Sequence, residues 1–266
     1  MKVDMHCHTR EGSLDGQVSV EVFASKLKGL GFGGMLVTDH DSYKGYRAWA
    51  KRHRHEKDDP HAFHVWKGIE YDTIDAGHML VIMPRGTELP ILELRGLPVK
   101  DLIEVVHLNG GILGPAHPCG ERFLSFTNTK QRRRLEWLMR QFDFVETWNA
   151  CEEEDSNARA KALAYQFGRP GTGGSDAHHL KCVGMGWVDI PDDVATEDDL
   201  IDYIRNCKED KATGELYSKT LRSKNVLVGQ FLTHAYYFYN HFASWYRFRK
   251  RRVEWKSFTE MVDEGR

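Results

Sequence analysis

The chain has 266 residues, enough for one large domain with a full apolar core, and its 41% hydrophobic and 29% charged residues are those of an ordinary globular protein. Its 37 lysines and arginines nearly balance its 39 aspartates and glutamates, so the overall field gives no reason to expect nucleic acid as the main partner. The five cysteines are scattered, odd in number and contain no C-x-x-C pair, which argues against a disulfide framework or a zinc knuckle.

The polar opening stretch MKVDMHCHTR has no apolar leader, and no run approaches the ~20 apolar residues that span a bilayer, so a cytoplasmic protein without a transmembrane segment is expected. Residues 2–6 alternate and predict a short strand ending on His6. Residues 19–30 place Val22, Phe23, Ala24, Leu27 and Leu30 along one helical stripe, with Gly31 as the C-cap. Residues 33–41 (GGMLVTDHD) read as a buried strand with polar residues at its C-terminal end. The rhythm repeats with a helix over 45–57, extended segments at 63–70 and 78–83, and a helix over 98–109 leading into GILGPAHP. A helix over 130–141 precedes DFVETWN, a helix over 155–167 precedes GTGGSDAHH, and a last strand at 186–190 precedes a helix over 196–207. This alternation predicts parallel βαβ units, in which function collects at the C-terminal strand ends. His6, His40, Glu70, His117 and Glu146 each follow an apolar run. Past residue 210 an aromatic and basic helical tail follows. We expect one domain over 1–210 and, over 211–266, a helical extension whose aromatics pack on the barrel. RFRKRR is read as a solvated face, with a membrane surface, nucleic acid or a partner subunit as its other readings.

Alternate residues of a strand point to one side, so His6 and His8 can chelate one ion. A lone H-x-H is weak evidence, and His53-x-His55 repeats it within KRHRHEKDD, a charge-dense stretch read as surface. Other residues strengthen the first pair. A carboxylate ending the buried run WKGIE, Glu70, would be costly if unpaired. Asp176 and His178 follow Gly173 and Gly174, where backbone can approach a ligand closely. Pro118 fixes the geometry of His117. Together these point to a metal site built from imidazoles and carboxylates. Cys7 alternates to the opposite face and is expected in the core, and Cys119 and Cys182 are expected to be buried bystanders.

The blocks HCHT, SLDG, TDHD, GIE, GHML, AHP and SDAH, in this order over roughly residues 1–190, resemble the PHP (polymerase and histidinol phosphatase) superfamily of metal-dependent phosphoesterases. The resemblance implies an α/β fold, a distorted (β/α)7 TIM-like barrel, with two or three divalent ions at its mouth. His6, His8, Glu70 and Asp176 would hold one metal. Glu70, as a bridge, would hold a second with His78 and His117. Asp15, His40 and His178 would hold a third. Asp15 stands where some family members have His, and SLDG resembles the Asp-bearing branch of small-molecule phosphoesterases.

Imidazole and carboxylate ligands suit Zn²⁺, Mn²⁺ or Fe²⁺ alike. The implied reaction is attack on phosphorus by a metal-bridging hydroxide, with Glu70, Asp176 and His178 as catalytic residues. Asp39 and Asp41 either orient imidazoles or cap the loop after their strand. Arg122, then Arg10 and Lys181, are expected to grip phosphate oxygens. Glu146 is expected either to support a metal ligand or to bond substrate hydroxyls, with Asn149 a weaker candidate of the same kind. The expected substrate is a small phosphorylated metabolite or nucleotide. A nuclease acting on an RNA or DNA end is the nearest alternative, but it needs a basic groove beside the metals, and the densest basic cluster lies in the tail. Asp15 leans away from histidinol-phosphate phosphatase, and the filled motif leans away from a non-catalytic binding or assembly module.

Overall fold

The computed structural model describes residues 1–54, 62–120, 124–217 and 226–264. Its larger sheet contains β1 (Lys2–Cys7), β2 (Gly34–Val37), β3 (His64–Asp72), β4 (His78–Ile82), β5 (Ile112–Pro115), β8 (Gly186–Asp189) and β9 (Ala212–Gly214). These run in the order β5-β4-β3-β2-β1-β8-β9, and β6 (Val145–Asn149) pairs separately with β7 (Gly171–Gly174). The helices are α1 (Val20–Gly29), α2 (Lys44–His53), α3 (Val99–Leu108), α4 (Leu135–Met139), α5 (Glu154–Phe167), α6 (Glu197–Asn206), α7 (Val226–Tyr246) and α8 (Phe248–Glu264).

Two seams curl these sheets into a distorted TIM-like barrel. At one, Asp176 N–H donates to the His6 carbonyl (2.8 Å), and Cys7 bridges to Ala177. Gly174 makes this approach possible, because a Cβ there would lie 2.4 Å from the His6 backbone nitrogen. The glycines of GTGG thus admit a neighbouring strand, where the sequence suggested room for a ligand. At the other seam, Asp143 N–H, just before β6, donates to the Leu113 carbonyl of β5 (2.9 Å).

The expectation of parallel βαβ units holds for only part of the barrel. β1, β2 and β3 are parallel, as are β6 and β7, but β4, β8 and β9 run antiparallel to their neighbours. Residues 73–77 join β3 to β4 in a tight turn, with Gly77 at φ +76°, and a parallel crossover needs a far longer connection. The helix expected over 130–141 is a 3₁₀ stretch, Lys130–Arg134, followed by the short α4. Three consecutive arginines give this segment no apolar stripe, and burial is limited to Leu138 and Met139. β9 was not foreseen, since three residues are too few for a periodic signal.

The α1 stripe is also shifted. Val20, Phe23, Ala24 and Leu27 are buried, at the helical spacing i, i+3, i+4, i+7, whereas Val22 and Leu30 are exposed. Ser19 caps the helix by accepting from Val22 N–H, and Gly31 follows its end at φ +80°. Burying Phe23 and Leu27 stabilises by roughly 1.5–3 kcal/mol each. In the tail, Phe258 and Trp255 pack against the core, but Phe231, Phe238, Phe242 and Trp245 are exposed, contrary to the expectation that the aromatics pack on the barrel. Among the described residues no helix is long and apolar enough to cross a membrane.

Candidate metal centre

Strand ends and register gather the polar residues at one mouth of the barrel. In the β3–β4 hairpin Asp72 pairs with His78 and Glu70 with Leu80, so Glu70 and Asp72, two apart on one strand, share a face with His78. His40, just past β2, bridges to Glu70. The β1 end supplies His6 and His8, the turn after β5 supplies His117, and the loop after β7 supplies Asp176 and His178.

Three overlapping groups result. His6 Nε2 lies 3.1 Å from His8 Nε2, 3.4 Å from Glu70 Oε1 and 3.5 Å from Asp176 Oδ1. His8 Nε2 lies 3.3 Å from Glu70 Oε2 and 3.2 Å from Asp176 Oδ1. Glu70 Oε1 also meets His78 Nδ1 (2.9 Å) and His117 Nε2 (3.0 Å). Asp15 Oδ2 meets His178 Nε2 (3.1 Å) and His40 Nε2 (3.6 Å). Donors at about 2.0–2.2 Å from a common ion lie about 3.0–3.5 Å from one another, so these spacings fit the edges of coordination polyhedra. A fourth group, His40, Asp72 and His78, adjoins them.

The second nitrogen of most of these imidazoles is anchored from behind. His6 Nδ1 lies 2.8 Å from Glu146 Oε1, and His8 Nδ1 lies 3.1 Å from Ser13 Oγ, whose hydroxyl donates to Asp39. His78 Nε2 lies 2.9 Å from Asp72 Oδ1, His117 Nδ1 lies 3.3 Å from Ser125 Oγ, and His178 Nδ1 lies 3.0 Å from the Asp176 carbonyl. One nitrogen inward and one held outward is the arrangement that fixes tautomer and ring orientation in metal-ligating histidines. The donor set, nitrogen and oxygen without thiolate, fits divalent zinc, manganese or iron.

Electrostatics agree with this fit. Burial alone would raise the Glu70 pKa, but His78, His40 and His6 around it hold it well below the usual carboxylate range. Burial opposes charge on His78 and His178, yet Glu70 and Asp72 raise the first to about 10, and Asp15 and Asp176 raise the second to about 9. Against its own burial, Asp176 is held low by His6, His8 and His178. Protonated forms of His6, His78, His117 and His178 are thus favoured beside the clustered carboxylates, a role that bound cations would take over. Local strain marks the same place: His117 (φ +29°), Asp176 (φ +49°) and Asp41 (φ +46°) are the described non-glycine residues with positive φ. His117 N–H is held by Glu146 Oε2 (2.6 Å).

Among the anticipated supporting residues, Asp39 accepts from the backbone and hydroxyl of Thr9, and Asp41 Oδ1 accepts from Asp72 N–H. Asn149 donates to Asp176 Oδ2 (3.1 Å) and Glu146 Oε2 (3.2 Å). Glu146 as a substrate-binding residue needs correction, because it is buried and its two oxygens serve His6 and the His117 backbone. Arg10 and Lys181 are exposed, and Arg122 lies outside the described residues. His53 pairs with Glu21 and stacks on Trp49, away from the cluster, while His55 is outside the described residues. Cys7, Cys119 and Cys182 are buried. The sequence reading missed Asp72, Arg95 and Asp4. Asp72 was accessible by strand alternation from Glu70. Asp4 is raised to about 6 by burial, against the Ser175 and His6 amides that bond it.

A curled α/β barrel that gathers imidazoles and carboxylates at its mouth defines the class of barrel proteins with a candidate metal centre. Residues 4–154 match the family model of the PHP domain and residues 154–208 that of the PHP-associated region, and the chain belongs to the PHP-domain family. The fold is similar to that of PsfC from Pseudomonas syringae PB-5123, with TM-score 0.57 and 20% identity over 89% of this chain and 97% of that one. An inferred metal-dependent phosphoesterase from Bifidobacterium adolescentis aligns with TM-score 0.54 and 15% identity, over 76% of this chain and 94% of its own. Endonuclease Q bound to duplex DNA with an abasic lesion aligns with TM-score 0.50 and 15% identity, over 77% of this chain and 56% of its own. No curated protein matches the sequence.

Proposed function

We propose that the chain is a phosphoesterase that hydrolyses a small phosphorylated metabolite or nucleotide. The observation that carries this reading is Glu70, a buried carboxylate ringed by His6, His8, His40, His78 and His117 at 2.9–3.4 Å. Two or three divalent ions (Zn²⁺, Mn²⁺ or Fe²⁺) bound here would lower the pKa of water toward neutrality and neutralise phosphoryl oxygens. His6, His8, Glu70 and Asp176 would hold one, Glu70, His78 and His117 a second, and Asp15, His40 and His178 a third. Asp15 and His178 are the most exposed members, which supports a substrate approach from their side. Glu146 and Asn149 keep His6 and Asp176 aimed into the cluster, so the donors need little rearrangement as charge develops on the ester. Arg10 and Lys181 remain the proposed phosphate contacts. In the same reading residues 1–210 form the catalytic domain, 211–266 an extension on it, and the protein works in the cytoplasm with its five cysteines free.

A second reading, a nuclease, has one observation in its favour. Arg132 and Arg159 line a cleft of about 430 Å³ with Cys119 and Gly120, close in the chain to His117. Arg132 also lines a neighbouring opening of about 520 Å³ with Arg133 and Arg140, a second basic surface besides the tail. The test is phosphate release from a panel of phosphate monoesters and nucleotides in Mn²⁺ or Zn²⁺, beside cleavage of end-labelled single-stranded oligonucleotides. Phosphate release that is lost on chelation and in Asp176→Ala supports the first reading, and oligonucleotide shortening without it supports the second. Neither activity in protein shown to carry metal would overturn both.

A further inference from the structure

Arg95 is a buried guanidinium in the loop between β4 and α3, placed between the tail and the histidine cluster. Its Nη2 lies 2.8 Å from Asp41 Oδ2 and 2.8 Å from Asp72 Oδ2. These two carboxylates are buried side by side, which is unfavourable without a cation between them. The other oxygen of Asp72 lies 2.9 Å from His78 Nε2 and 3.6 Å from His40 Nδ1. A guanidinium that pins one edge of the Asp72 carboxylate therefore sets the direction of the edge that orients two imidazoles of the cluster.

Arg95 is in turn held by the C-terminal helices. Arg251 of α8 donates from Nη1 to the Arg95 carbonyl and to the Ser244 carbonyl (3.2 Å). The Arg95 guanidinium sits 5.3 Å from the Tyr239 ring of α7, within cation–π range. Next in the chain, Gly96 takes φ +96° directly against α7, where a Cβ would come within 2.6 Å of Ser244 Oγ. Arg247 adds a bond to the Glu93 carbonyl (3.0 Å). On its other side the loop is tied to β3, through Gly96 N–H to the Asp72 carbonyl (2.8 Å) and Leu97 N–H to Tyr71 Oη (3.0 Å). The loop is thus clamped between the strand that carries Glu70 and Asp72 and the helices that carry no motif residue.

We infer that Arg95 is a positioning residue of the metal centre and that the C-terminal helices, acting through Arg251, keep it in place, so that tail docking and metal retention are coupled. The inference rests on the metal-binding reading of the cluster. It assigns the tail a role in the chemistry at the barrel mouth through a chain of contacts: Arg251, Arg95, Asp72, then His78 and His40.

The test is metal affinity, measured by competition of the full-length chain with a chromophoric chelator for Mn²⁺ and Zn²⁺, beside thermal melting of the metal-free forms. Arg95→Met is expected to weaken metal binding by about 10-fold, the low end of the effect of losing a group bonded directly to a ligand, since Arg95 acts through Asp72. Arg251→Met is expected to weaken it in the same direction, by less. Arg95→Lys, which keeps the charge without the fork, should recover part of the loss. Arg247→Met, which removes a tail contact that does not touch Arg95, should bind as the unmodified chain does. Unmodified affinity in Arg95→Met would overturn the coupling while leaving the metal reading intact. So would equal losses in Arg251→Met and Arg247→Met that follow the melting temperatures, since the tail would then act on stability alone. If the unmodified chain retained no metal, the cluster reading itself would fail and the coupling with it.

Discussion

The barrel mouth and the outer face of α7 were assembled by different rules. At the mouth, His6, His8, Glu70, Asp72 and His78 are buried polar groups with partners on both sides. Along α7, 21 residues pass without one charged side chain, and Phe231, Phe238, Phe242 and Trp245 are exposed. Buried polar groups are costly unless satisfied, so each residue at the mouth dictates its neighbours. Exposed aromatics dictate nothing nearby, and the tail is fixed instead by a few anchors such as Arg251, Ser244 and Phe258. Substitutions at the mouth should therefore have large, linked effects, and those on the outer tail small, independent ones.

The largest effect is expected at Asp176. Asp176→Ala should lower phosphate-ester turnover about 10³-fold, a loss of about 4 kcal/mol in transition-state stabilisation, because it removes a donor shared by His6 and His8. A variant that kept turnover within a few fold would break the comparison. Within the core, Leu27→Ala should destabilise by about 2–5 kcal/mol in chemical denaturation of the metal-free protein, since Leu27 is fully buried. Glu146→Gln should weaken metal binding about 10- to 100-fold in a chelator competition, as His6 loses the carboxylate behind Nδ1.

The dependence on pH follows from the histidines. His78 and His178 bind protons more tightly folded than unfolded, with pKa values raised from 6.5 to about 10 and about 9. The stability they contribute to the metal-free protein is fully present below pH 6.5 and is lost as pH rises through 9 to 10. Melting temperatures of metal-free protein should fall over that window, while metal affinity should rise, because ligands must shed protons to bind. At the small end, Phe242→Ala should change stability by no more than about 0.5 kcal/mol, as an exposed side chain. A loss of several times that in solution would mean that the aromatic face is covered there.

What could be read from the sequence divides along the same line. His6, His40, Glu70 and His117 were legible because a strand end after an apolar run is a local signal, and because the motif blocks occur in order. Asp72 was one alternation step beyond Glu70, and the reading stopped at GIE. Arg95 has no local signal at all, since its role depends on Arg251, 156 residues away. The antiparallel sense of β4 was written in the short connection 73–77, where no helical stretch separates the two extended segments. The α1 stripe slipped to Val22 and Leu30 because several apolar side chains lay close to the true face, and only packing distinguishes them. The KQRRR segment was read as plain helix, which hid its basic surface.

The most direct measurement is elemental analysis of the purified chain, prepared without chelator and after incubation with Mn²⁺ or Zn²⁺, beside Asp176→Ala and His117→Ala. Two to three divalent ions per chain, reduced in both variants, is the predicted result. Less than one ion per chain in the unmodified protein, unchanged by either substitution, would contradict the metal centre.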